Sequence, residues 1–470
     1  MENKTIDAEA LAKELLLDKK NGFFRVDDEE IAKADAFCED YKKFLDKGKT
    51  EREAAAEAIR LAEEKGFVPY DPTVSYKPGD KVYVNNRGKS VMLAVIGEKG
   101  SREGVRIAAA HIDCPRIDLK PVPLYETTDF AMLKTHYYGG IKKYQWTATP
   151  LAMHGRIIRR DGEYIDVCIG EEPGDPQFCI TDLLPHLAQE QSTKTLGKAI
   201  EGEDLNILFG SRPLRCEKGD SLFKLNVMKL LNEKYGIKEQ DFITAEIEFV
   251  PAHKAVDVGL DRSMIGAYGH DDRVCAYPAL QAILNCCGVP EQTVVTVLTD
   301  KEETGSDGNT GLNSSYMRYF IHALAKQDGV DGHDVLSKST CLSADVGAAY
   351  DPTYASAYEA NNSCYLNKGV SLIKYTGSRG KGGTSDASAE FMGQIRDLLE
   401  DANVVWQTGE LGRVDLGGGG TVAQYIANLN VDVVDLGVPV LSMHAPFEVV
   451  AKLDVYMAYR AFKAFFDQKK

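Results

Sequence analysis

A regular alternation of predicted strands and helices runs through the sequence after residue 253. The strands are short apolar runs, and the helices repeat apolar residues at intervals of three and four. The strands include TVVTVLTDKEE (293–303), TCLSADVG (340–347), GVSLIKYT (369–376) and NVDVVDLGVP (430–439), and the helices include YPALQAILNCCG (277–288), SSYMRYFIHALAKQ (314–327) and LDVYMAYRAFKAFFDQ (453–468). This alternation is typical of an α/β domain, with a mostly parallel sheet flanked by helices.

The N-terminal part of the sequence adds elements to the same domain. Residues 1–66 are predicted to be helical, and REAAAEAIRLAEEKG (52–66) ends on Gly66, a residue suited to a helix C-cap. KVYVNN (81–86), SVMLAVIG (90–97) and GVRIAAAHID (104–113) are predicted strands. RIAAAHID is a short apolar run that ends in polar residues, so we expect a central strand there.

The pattern changes between residues 122 and 252. RIIRRDGEYIDVCIG (156–170) alternates apolar and polar residues around Asp161-Gly162, which predicts a hairpin. FKLNVMKLLNEKYGI (223–237) is a predicted helix and DFITAEIEFVPAH (241–253) a predicted strand. We therefore predict a mixed, β-rich domain over 122–252, inserted into a domain made of 1–121 and 253–470.

The balance of charge and the cysteines narrow the possible functions. The 470 residues include 55 Lys and Arg but 71 Asp and Glu, a net charge of −16, which argues against nucleic acid or an anionic membrane as main partner. The sequence contains no apolar run of 18 residues, so we expect no membrane span. The first residues lack a signal-peptide pattern, and the ten cysteines are scattered, so we expect a reducing, cytoplasmic location.

Five polar clusters follow predicted strands. Ligands of α/β sheets collect at the carboxyl ends of the strands, so these clusters should meet. Each cluster alone is more typical of a helix cap or a solvated turn. Together they supply imidazole and carboxylate groups, which bind metal ions such as zinc. The clusters are His111 with Asp113, Asp271 with Asp272, Glu302 with Glu303, Asp345, and His444.

These residue types match the needs of a two-metal site. Two ions about 3.5–4 Å apart need a bridging carboxylate and further histidine and carboxylate ligands. The remaining glutamate, Glu302, is then free to act as a general base toward water. Asp113 can hydrogen-bond the second ring nitrogen of His111 and fix its tautomer. The candidate ligands are His111, Asp271, Glu303, Asp345 and His444.

An ordered set of motifs resembles the aspartyl aminopeptidase and aminopeptidase I family of dinuclear zinc metallopeptidases. The motifs are individually short, but they span nearly the whole chain in the family's order. The YGG…PLA…GR stretch of the predicted insert is the part specific to this group. The motifs are HIDCPRIDLKP (111–121), HYYGGIKKYQWTATPLAMHGRII (136–158), HDDRVCAYPALQAI (270–283), DKEETGS (300–306), LSADVG (342–347) and LGVPVLSMHA (436–445).

The resemblance implies a fold of the zinc exopeptidase type and a role for each site residue. It makes the five candidate ligands the metal ligands, with Asp271 as the bridge and Glu302 as the general base. It also implies that the insert forms dimers within a tetrahedral dodecamer. A histidine from the neighbouring subunit completes the site in this family, and His186 is at the matching position. Lys374 lies near the place where the family reads the substrate side chain.

Three features depart from the family pattern. Asp272 follows the bridging position where an asparagine is common, so Asp272 is the alternative bridge. The segments DLGGGGTVAQYIAN (415–428) and KGGTSDASAEF (381–391) also differ from the usual forms. Lys374 would suit an acidic N-terminal residue, but one lysine does not establish that preference.

The sequence therefore predicts a metal-dependent aminopeptidase that removes the N-terminal residue of short peptides with a free amine. Two divalent ions per subunit are expected, with zinc as the first choice and cobalt or manganese as substitutes. One alternative is a related deacylase or carboxypeptidase with the same metal site. A second alternative is a non-catalytic, shell-forming assembly protein, although every ligand and base position holds a competent residue.

Overall fold

A computed structural model describes residues 7–216 and 218–469 of the chain. Twelve α-helices lie within these residues. They are α1 (Ala8–Leu15), α2 (Asp28–Lys47), α3 (Glu51–Glu64), α4 (Gln189–Thr193), α5 (Leu196–Ala199), α6 (Leu222–Tyr235), α7 (His270–Leu284), α8 (Tyr316–Gln327), α9 (Gly332–Leu336), α10 (Ala389–Asp401), α11 (Ala423–Ala427) and α12 (Lys452–Asp467).

Twenty-three strands, in four sheets, lie within the same residues. They are β1 (Val68–Pro69), β2 (Lys81–Asn86), β3 (Ser90–Val95), β4 (Arg106–His111), β5 (Arg116–Thr127), β6 (Phe130–Tyr138), β7 (Leu151–Ile158), β8 (Tyr164–Ile169), β9 (Cys179–Ile180), β10 (Ile207–Gly210), β11 (Glu246–Pro251), β12 (Val256–Val258), β13 (Met264–Ala267), β14 (Val294–Thr299), β15 (Thr340–Ser343), β16 (Gly347–Ala348), β17 (Val370–Ile373), β18 (Gly377–Ser378), β19 (Trp406–Gln407), β20 (Gly418–Gly419), β21 (Asp432–Gly437), β22 (Pro439–Leu441) and β23 (Glu448–Ala451).

The largest sheet has nine strands in the order β1-β2-β3-β14-β4-β15-β21-β17-β19. Its four central strands, β14, β4, β15 and β21, are parallel to one another. Side chains of β4 point alternately into two apolar cores. One core contains residues of α2, α3, α7, α10 and α12, and the other contains residues of α8, α9 and α11. Helices thus cover both faces of the sheet, which confirms the predicted α/β class with a mostly parallel sheet.

The helical N-terminal region follows the local signals of the sequence. Helix α3 begins with a capping box between Thr50 and Glu53. It ends at Glu64, and Gly66 follows in the left-handed conformation that closes many helices. Helices α1 and α2 precede it, so helix is the main structure of residues 7–66. Residues 1–6 of the predicted helical region lie outside the described residues.

The second sheet is antiparallel and has seven strands in the order β8-β7-β11-β5-β6-β10-β9. Strands β7 and β8 form the predicted hairpin, with Gly162 at a φ of 86° in the turn. A separate apolar core around the buried Trp146 packs against this sheet. Strand β5 runs across the predicted boundary at residues 121 and 122. The division into domains 1–121 with 253–470 and 122–252 stays a prediction.

A third sheet of five strands, in the order β12-β13-β23-β22-β16, lies in the C-terminal part of the chain. Strands β13 and β23 pair in an antiparallel manner, with Ala267 opposite Glu448. This pairing joins the segment before α7 to the turn between β22 and β23. Among the described residues, none of the helices has the length and apolar character needed to cross a membrane.

Candidate metal centre

Three predicted site segments lie side by side because their strands are neighbours in the main sheet. Strand β4 ends at His111, which is in register with Thr299 at the end of the parallel strand β14. A short 3-10 turn, Glu302–Thr304, follows β14. On the other side of β4, strand β15 ends at Ser343, two residues before Asp345. The carboxyl ends of these strands form one edge, where ligands of α/β sheets are expected.

Two further segments reach the same edge from the third sheet. Asp271 lies in the first turn of α7, shortly after β13, and is joined to Asp272 by a cis peptide bond. His444 lies in the turn between β22 and β23, with a φ of 65°. The pairing of β13 with β23 keeps these two segments adjacent. The structure therefore brings together all five candidate ligands and both glutamates of the 302–303 pair.

The first group of possible ligand atoms comes from His111, Asp271 and Asp345. One atom from each residue lies within 4.8 Å of the other two. Nε2 of His111 is 3.2 Å from Asp271 Oδ1 and 3.9 Å from Asp345 Oδ1. All three side chains are buried. This arrangement has the size and the donor types of a small-cation site.

The second group comes from Asp271, Glu303 and His444 and meets the same distance limit. Nε2 of His444 is 3.1 Å from Asp271 Oδ2 and 3.7 Å from Glu303 Oε2. Asp271 thus belongs to both groups, with one carboxylate oxygen facing His111 and the other facing His444. A carboxylate that bridges two ions needs this division of its two oxygens.

Unpaired buried atoms show that the residues fit a pair of cations. Nε2 of His111 and Oε1 of Glu303 are buried and make no hydrogen bond within the described part of the chain. A buried polar atom without a partner is costly, and a bound cation would satisfy both atoms. Imidazole and carboxylate groups together are donors that divalent zinc accepts. The ligand set and its buried, unpaired atoms therefore fit divalent metal ions.

Asp113 connects His111 to the glutamate turn. Its backbone carbonyl accepts from Nδ1 of His111 at 3.0 Å. Its Oδ1 lies 3.3 Å from the same nitrogen and accepts the backbone N–H of Glu302 at 3.2 Å. Its Oδ2 accepts the backbone N–H of Glu303 at 3.3 Å and the hydroxyl of Tyr138 at 2.7 Å. Burial is the largest single influence and favours a high pKa for Asp113, but the contacts with His111, the hydrogen bond from Tyr138 and the charge of Arg116 together outweigh it and lower the pKa. Asp113 is thus held as a charged group between His111 and the glutamate turn.

Two contacts at the site were not found by sequence reasoning. The buried Glu448 accepts the backbone N–H of Asp271 at 3.1 Å and that of His444 at 2.7 Å. It thereby ties together the two segments that carry these ligands. The carbonyl of Gly140 accepts a hydrogen bond from Nδ1 of His444 at 2.7 Å. Glu448 follows His444 by only four residues, but no local pattern distinguishes it from an ordinary strand residue.

Asp272 occupies a different environment from Asp271. It is fully buried, and burial raises its pKa well above the ordinary value, with the charge of Asp271 acting in the same direction. Neither of its carboxylate oxygens makes a hydrogen bond with the described residues. Both ligand groups found among the described residues contain Asp271.

The two glutamates of the turn differ in position. Both border the adjoining cavity, but Glu303 belongs to the second ligand group, whereas Glu302 belongs to neither group and has its Oε2 3.9 Å from His111 Nε2. Burial raises the pKa of Glu302 to about 7, and the carboxylates of Asp271 and Asp113 add to this effect. The adjacent carboxylates therefore differ in that only Glu303 belongs to a ligand group found among the described residues.

A cavity of about 360 Å³ opens beside the metal centre. A space of this size can hold a side chain and part of a peptide backbone. Its wall includes Ile373, Thr376, Leu411 and the glycines at 418–420, and Glu410 also borders it. The glycine run thus forms a wall of the cavity next to the candidate ligands.

The two predicted substrate-binding residues lie in different places. Lys374 follows the cavity residue Ile373, and its ammonium donates to Asp386 Oδ1 at 2.5 Å and to the carbonyl of Ala387 at 2.7 Å. His186 lies in an exposed turn at 185–187, between β9 and α4, in the region of the second sheet. The clustered site residues of this chain therefore come from other segments, and not from the segment that carries His186.

The parallel sheet and the clustered imidazole and carboxylate groups at its edge are typical of metal-dependent hydrolases. Residues 44–466 match the family described as aminopeptidase I zinc metalloprotease (M18). The chain therefore belongs to the M18 family of aminopeptidases. It is a metalloaminopeptidase, a hydrolase of peptide bonds, and its family implies a metal cofactor.

Individual relatives agree with this assignment. The chain is 47% identical over 460 residues to a "Probable M18 family aminopeptidase 1" of Clostridium acetobutylicum, covering 96% of this chain and 99% of that protein. The crystal structure of aminopeptidase I from the same species has a TM-score of 0.91 at 46% identity, covering 97% and 100% of the two chains. An M18 aminopeptidase from Thermotoga maritima also gives 0.91, at 41% identity and 96% and 100% coverage. The S. cerevisiae mApe1 dodecamer, at 20% identity, 93% and 97% coverage and a TM-score of 0.75, shares the fold.

Proposed function

We propose that this aminopeptidase removes the N-terminal residue of short peptides at a centre that holds two divalent ions. The observation that carries the proposal is the shared position of Asp271 between two groups of ligand atoms. His111 and Asp345 would hold one ion with Asp271, and Glu303 and His444 would hold the other. The ions would be zinc, with cobalt or manganese as substitutes, since the donors are imidazole nitrogens and carboxylate oxygens.

Two divalent cations supply Lewis acidity, which polarises a carbonyl and makes water a better nucleophile. The protein groups provide the remaining steps. Glu302 faces the cavity and takes the proton from the attacking water, then gives it to the leaving amine. The backbone carbonyl of Asp113 keeps the Nδ1 proton on His111, and its carboxylate holds the Glu302 backbone in place. The negative carboxylates also favour a substrate with a protonated free amine.

We also propose that the chain forms dimers and, from them, a tetrahedral dodecamer. The related yeast protein is a dodecamer in its structure. In this chain, the turn that carries His186 also exposes Leu183, Leu184 and Leu187, at 52%, 50% and 68% of their surface. Exposed leucines grouped in one segment are typical of a surface that a second subunit covers. His186 would then enter the site of the neighbouring subunit and contact its substrate.

A reducing, cytoplasmic location is the proposed setting of this activity. All ten cysteines are free in the structure, and five of them are buried: Cys38, Cys114, Cys275, Cys341 and Cys364. Free thiols in this number are typical of a reducing compartment. The proposed substrates are short peptides formed by protein turnover in that compartment.

The preference for the N-terminal residue depends on Lys374 and Glu410. A preference for acidic residues would require the ammonium of Lys374 to leave Asp386, with which it forms an ion pair at 2.5 Å. It would also place the acidic side chain in a cavity bordered by Glu410. Like charges at short distance repel, so this preference requires the Lys374 side chain to turn toward the substrate. The cleavage rates of peptides with acidic and with neutral N-terminal residues decide whether Lys374 stays paired with Asp386 or turns toward the substrate.

Mass spectrometry of a small peptide panel tests the proposed reaction. The panel varies the first residue among Asp, Glu, Leu and Lys, includes N-acetylated controls, and is run with and without a chelator. We expect stepwise loss of the first residue from peptides with a free amine, and no loss after chelation. Cleavage of the acetylated controls would instead favour a deacylase, and release of the last residue would favour a carboxypeptidase. A protein inactive toward every peptide, with any of the three metals, would support the non-catalytic assembly.

A further inference from the structure

The loop of residues 138–140 leaves the second sheet at the end of β6 and contacts both halves of the metal centre. The hydroxyl of Tyr138 donates to Oδ2 of Asp113 at 2.7 Å. The carbonyl of Gly140 accepts from Nδ1 of His444 at 2.7 Å. This loop is the YGG of the sequence, whose role the sequence does not reveal. Its contacts reach His444 directly and reach His111 through Asp113.

Tyr138 supplies the shortest of four contacts that hold the Asp113 carboxylate. The other three are Nδ1 of His111 at 3.3 Å and the backbone N–H groups of Glu302 and Glu303 at 3.2 and 3.3 Å. A carboxylate offers about four lone-pair sites for hydrogen bonds. Tyr138 therefore completes the shell of Asp113. Without its hydroxyl, Oδ2 would keep only the longer bond from Glu303.

The ring of Tyr138 is itself held in place by Arg116. The guanidinium carbon lies 3.8 Å from the ring centroid, a close cation–π contact. Arg116 is buried and contacts Glu248 at 3.2 Å, Asp118 at 2.9 Å and Glu51 at 3.5 Å. Glu51 belongs to α3, whereas Asp118 and Glu248 belong to strands of the second sheet. Tyr138 thus has a fixed orientation at the junction of the second sheet and α3.

We propose that Tyr138 is a positioning residue through which the second sheet sets the geometry of the metal centre. Its hydroxyl fixes the Asp113 carboxylate, which holds the turn that carries Glu302 and Glu303. The same carboxylate lies 3.3 Å from Nδ1 of His111, whose hydrogen bond goes to the Asp113 backbone carbonyl at 3.0 Å. The inference rests on the proposed ligand set. Loss of a residue that hydrogen-bonds a metal ligand typically weakens metal binding about 10- to 100-fold. Tyr138 acts one residue further out, through Asp113, so we expect the lower end of this range, about 10-fold.

The backbone conformation and the surroundings of residue 139 explain why it is a glycine. Its φ is 73°, and a methyl group at its Cα would lie 3.2 Å from Oε2 of Glu303. A side chain there would be strained and would press on a candidate ligand. Gly162, in the β7–β8 hairpin, has a similar φ of 86°, and a methyl group there would meet nothing within 4 Å in the described structure. The two glycines therefore differ in contact with the metal centre and not in backbone conformation.

A chelator titration of the full-length holoenzyme tests the role of Tyr138. Zinc released from wild type, Tyr138→Phe and Tyr137→Phe is followed with a colorimetric indicator, and the melting temperature of each metal-free protein is measured in parallel. Tyr137 is the matched control, because it is the preceding residue and is 39% exposed. We expect zinc affinity to fall about 10-fold in Tyr138→Phe alone, at a temperature where the melting curves show all three metal-free proteins to be folded.

Each of the other possible outcomes leads to a different conclusion. Wild-type affinity in Tyr138→Phe would overturn the positioning role while leaving the ligand set intact. A fall in affinity that appears only at temperatures where metal-free Tyr138→Phe is partly unfolded would overturn it as well, since it would indicate a purely structural role. A wild type that binds no zinc would instead contradict the proposed metal centre. A second comparison uses the two glycines: Gly139→Ala should weaken zinc binding more than Gly162→Ala does. Equal effects of the two substitutions would contradict a role of the 138–140 loop in the metal centre.

Discussion

Glu302→Gln is the substitution that most sharply separates the roles of the two adjacent glutamates. Glutamine keeps the size of the side chain and leaves the backbone N–H of residue 302 on Asp113, where it donates at 3.2 Å. Glu302 lies outside both ligand groups, with Oε2 3.9 Å from Nε2 of His111. The substitution should therefore remove a base at the cavity without removing a ligand.

The size of the effect follows from the role. A positioned general base contributes about 10²- to 10⁴-fold to the rate, so kcat should fall by that factor. At about 1.4 kcal/mol for each factor of ten, the barrier rises by roughly 3–5 kcal/mol. KM should change little, because the ligands and the cavity wall are intact. Metal content, measured by elemental analysis, should equal that of wild type.

Glu303→Gln is the matched control, because it changes the neighbouring residue in the same way. Glu303 Oε2 lies 3.7 Å from Nε2 of His444, within the second ligand group. This variant should lose metal as well as activity. Wild-type turnover by Glu302→Gln would refute its role as the base. Loss of metal from Glu302→Gln, with retention by Glu303→Gln, would show that the two roles are reversed.

Two further substitutions test the hydrogen bonds of Glu448 to the ligand segments and the sharing of His186 between subunits. Glu448→Ala leaves two N–H groups without an acceptor, the buried one of Asp271 and the partly buried one of His444. At about 1–3 kcal/mol each, it should lower the free energy of unfolding by about 2–6 kcal/mol in urea denaturation; a change below 1 kcal/mol would contradict this. His186→Ala should reduce activity with metals retained, and co-expression with Glu302→Gln should restore about a quarter of the sites if dimers share them. No restoration would confine His186 to its own subunit.

The main sheet could be predicted because its signals are local. KVYVNN forms β2 over the predicted residues, and the apolar run before His111 forms the central strand β4. Parallel strands place their carboxyl ends together, so the meeting of His111, Glu303 and Asp345 followed from the strand assignments. The prediction depended only on where each strand ends.

The contacts that orient these residues could not be predicted in the same way. Gly140 and His444 are 304 positions apart, and their hydrogen bond requires the second and third sheets to be placed against the main sheet. The same holds for Tyr138 with Asp113 and for Arg116 with Glu248. Lys374 shows that a nearby partner can also be missed. Its ion-pair partner Asp386 is only 12 residues away, yet the lysine alone suggested an acidic substrate. A charged residue in a sequence does not show whether its ion-pair partner is another residue of the protein or the substrate.

The central claim is that two ions share Asp271, and the number of ions per chain tests it most directly. Elemental analysis of wild type, Asp271→Asn and Asp272→Asn compares the two adjacent aspartates under the same conditions. Because the two Asp271 oxygens lie 3.2 and 3.1 Å from His111 and His444, we expect two ions in wild type, neither in Asp271→Asn, and both in Asp272→Asn. Two ions retained by Asp271→Asn, or lost only from Asp272→Asn, would contradict the shared site.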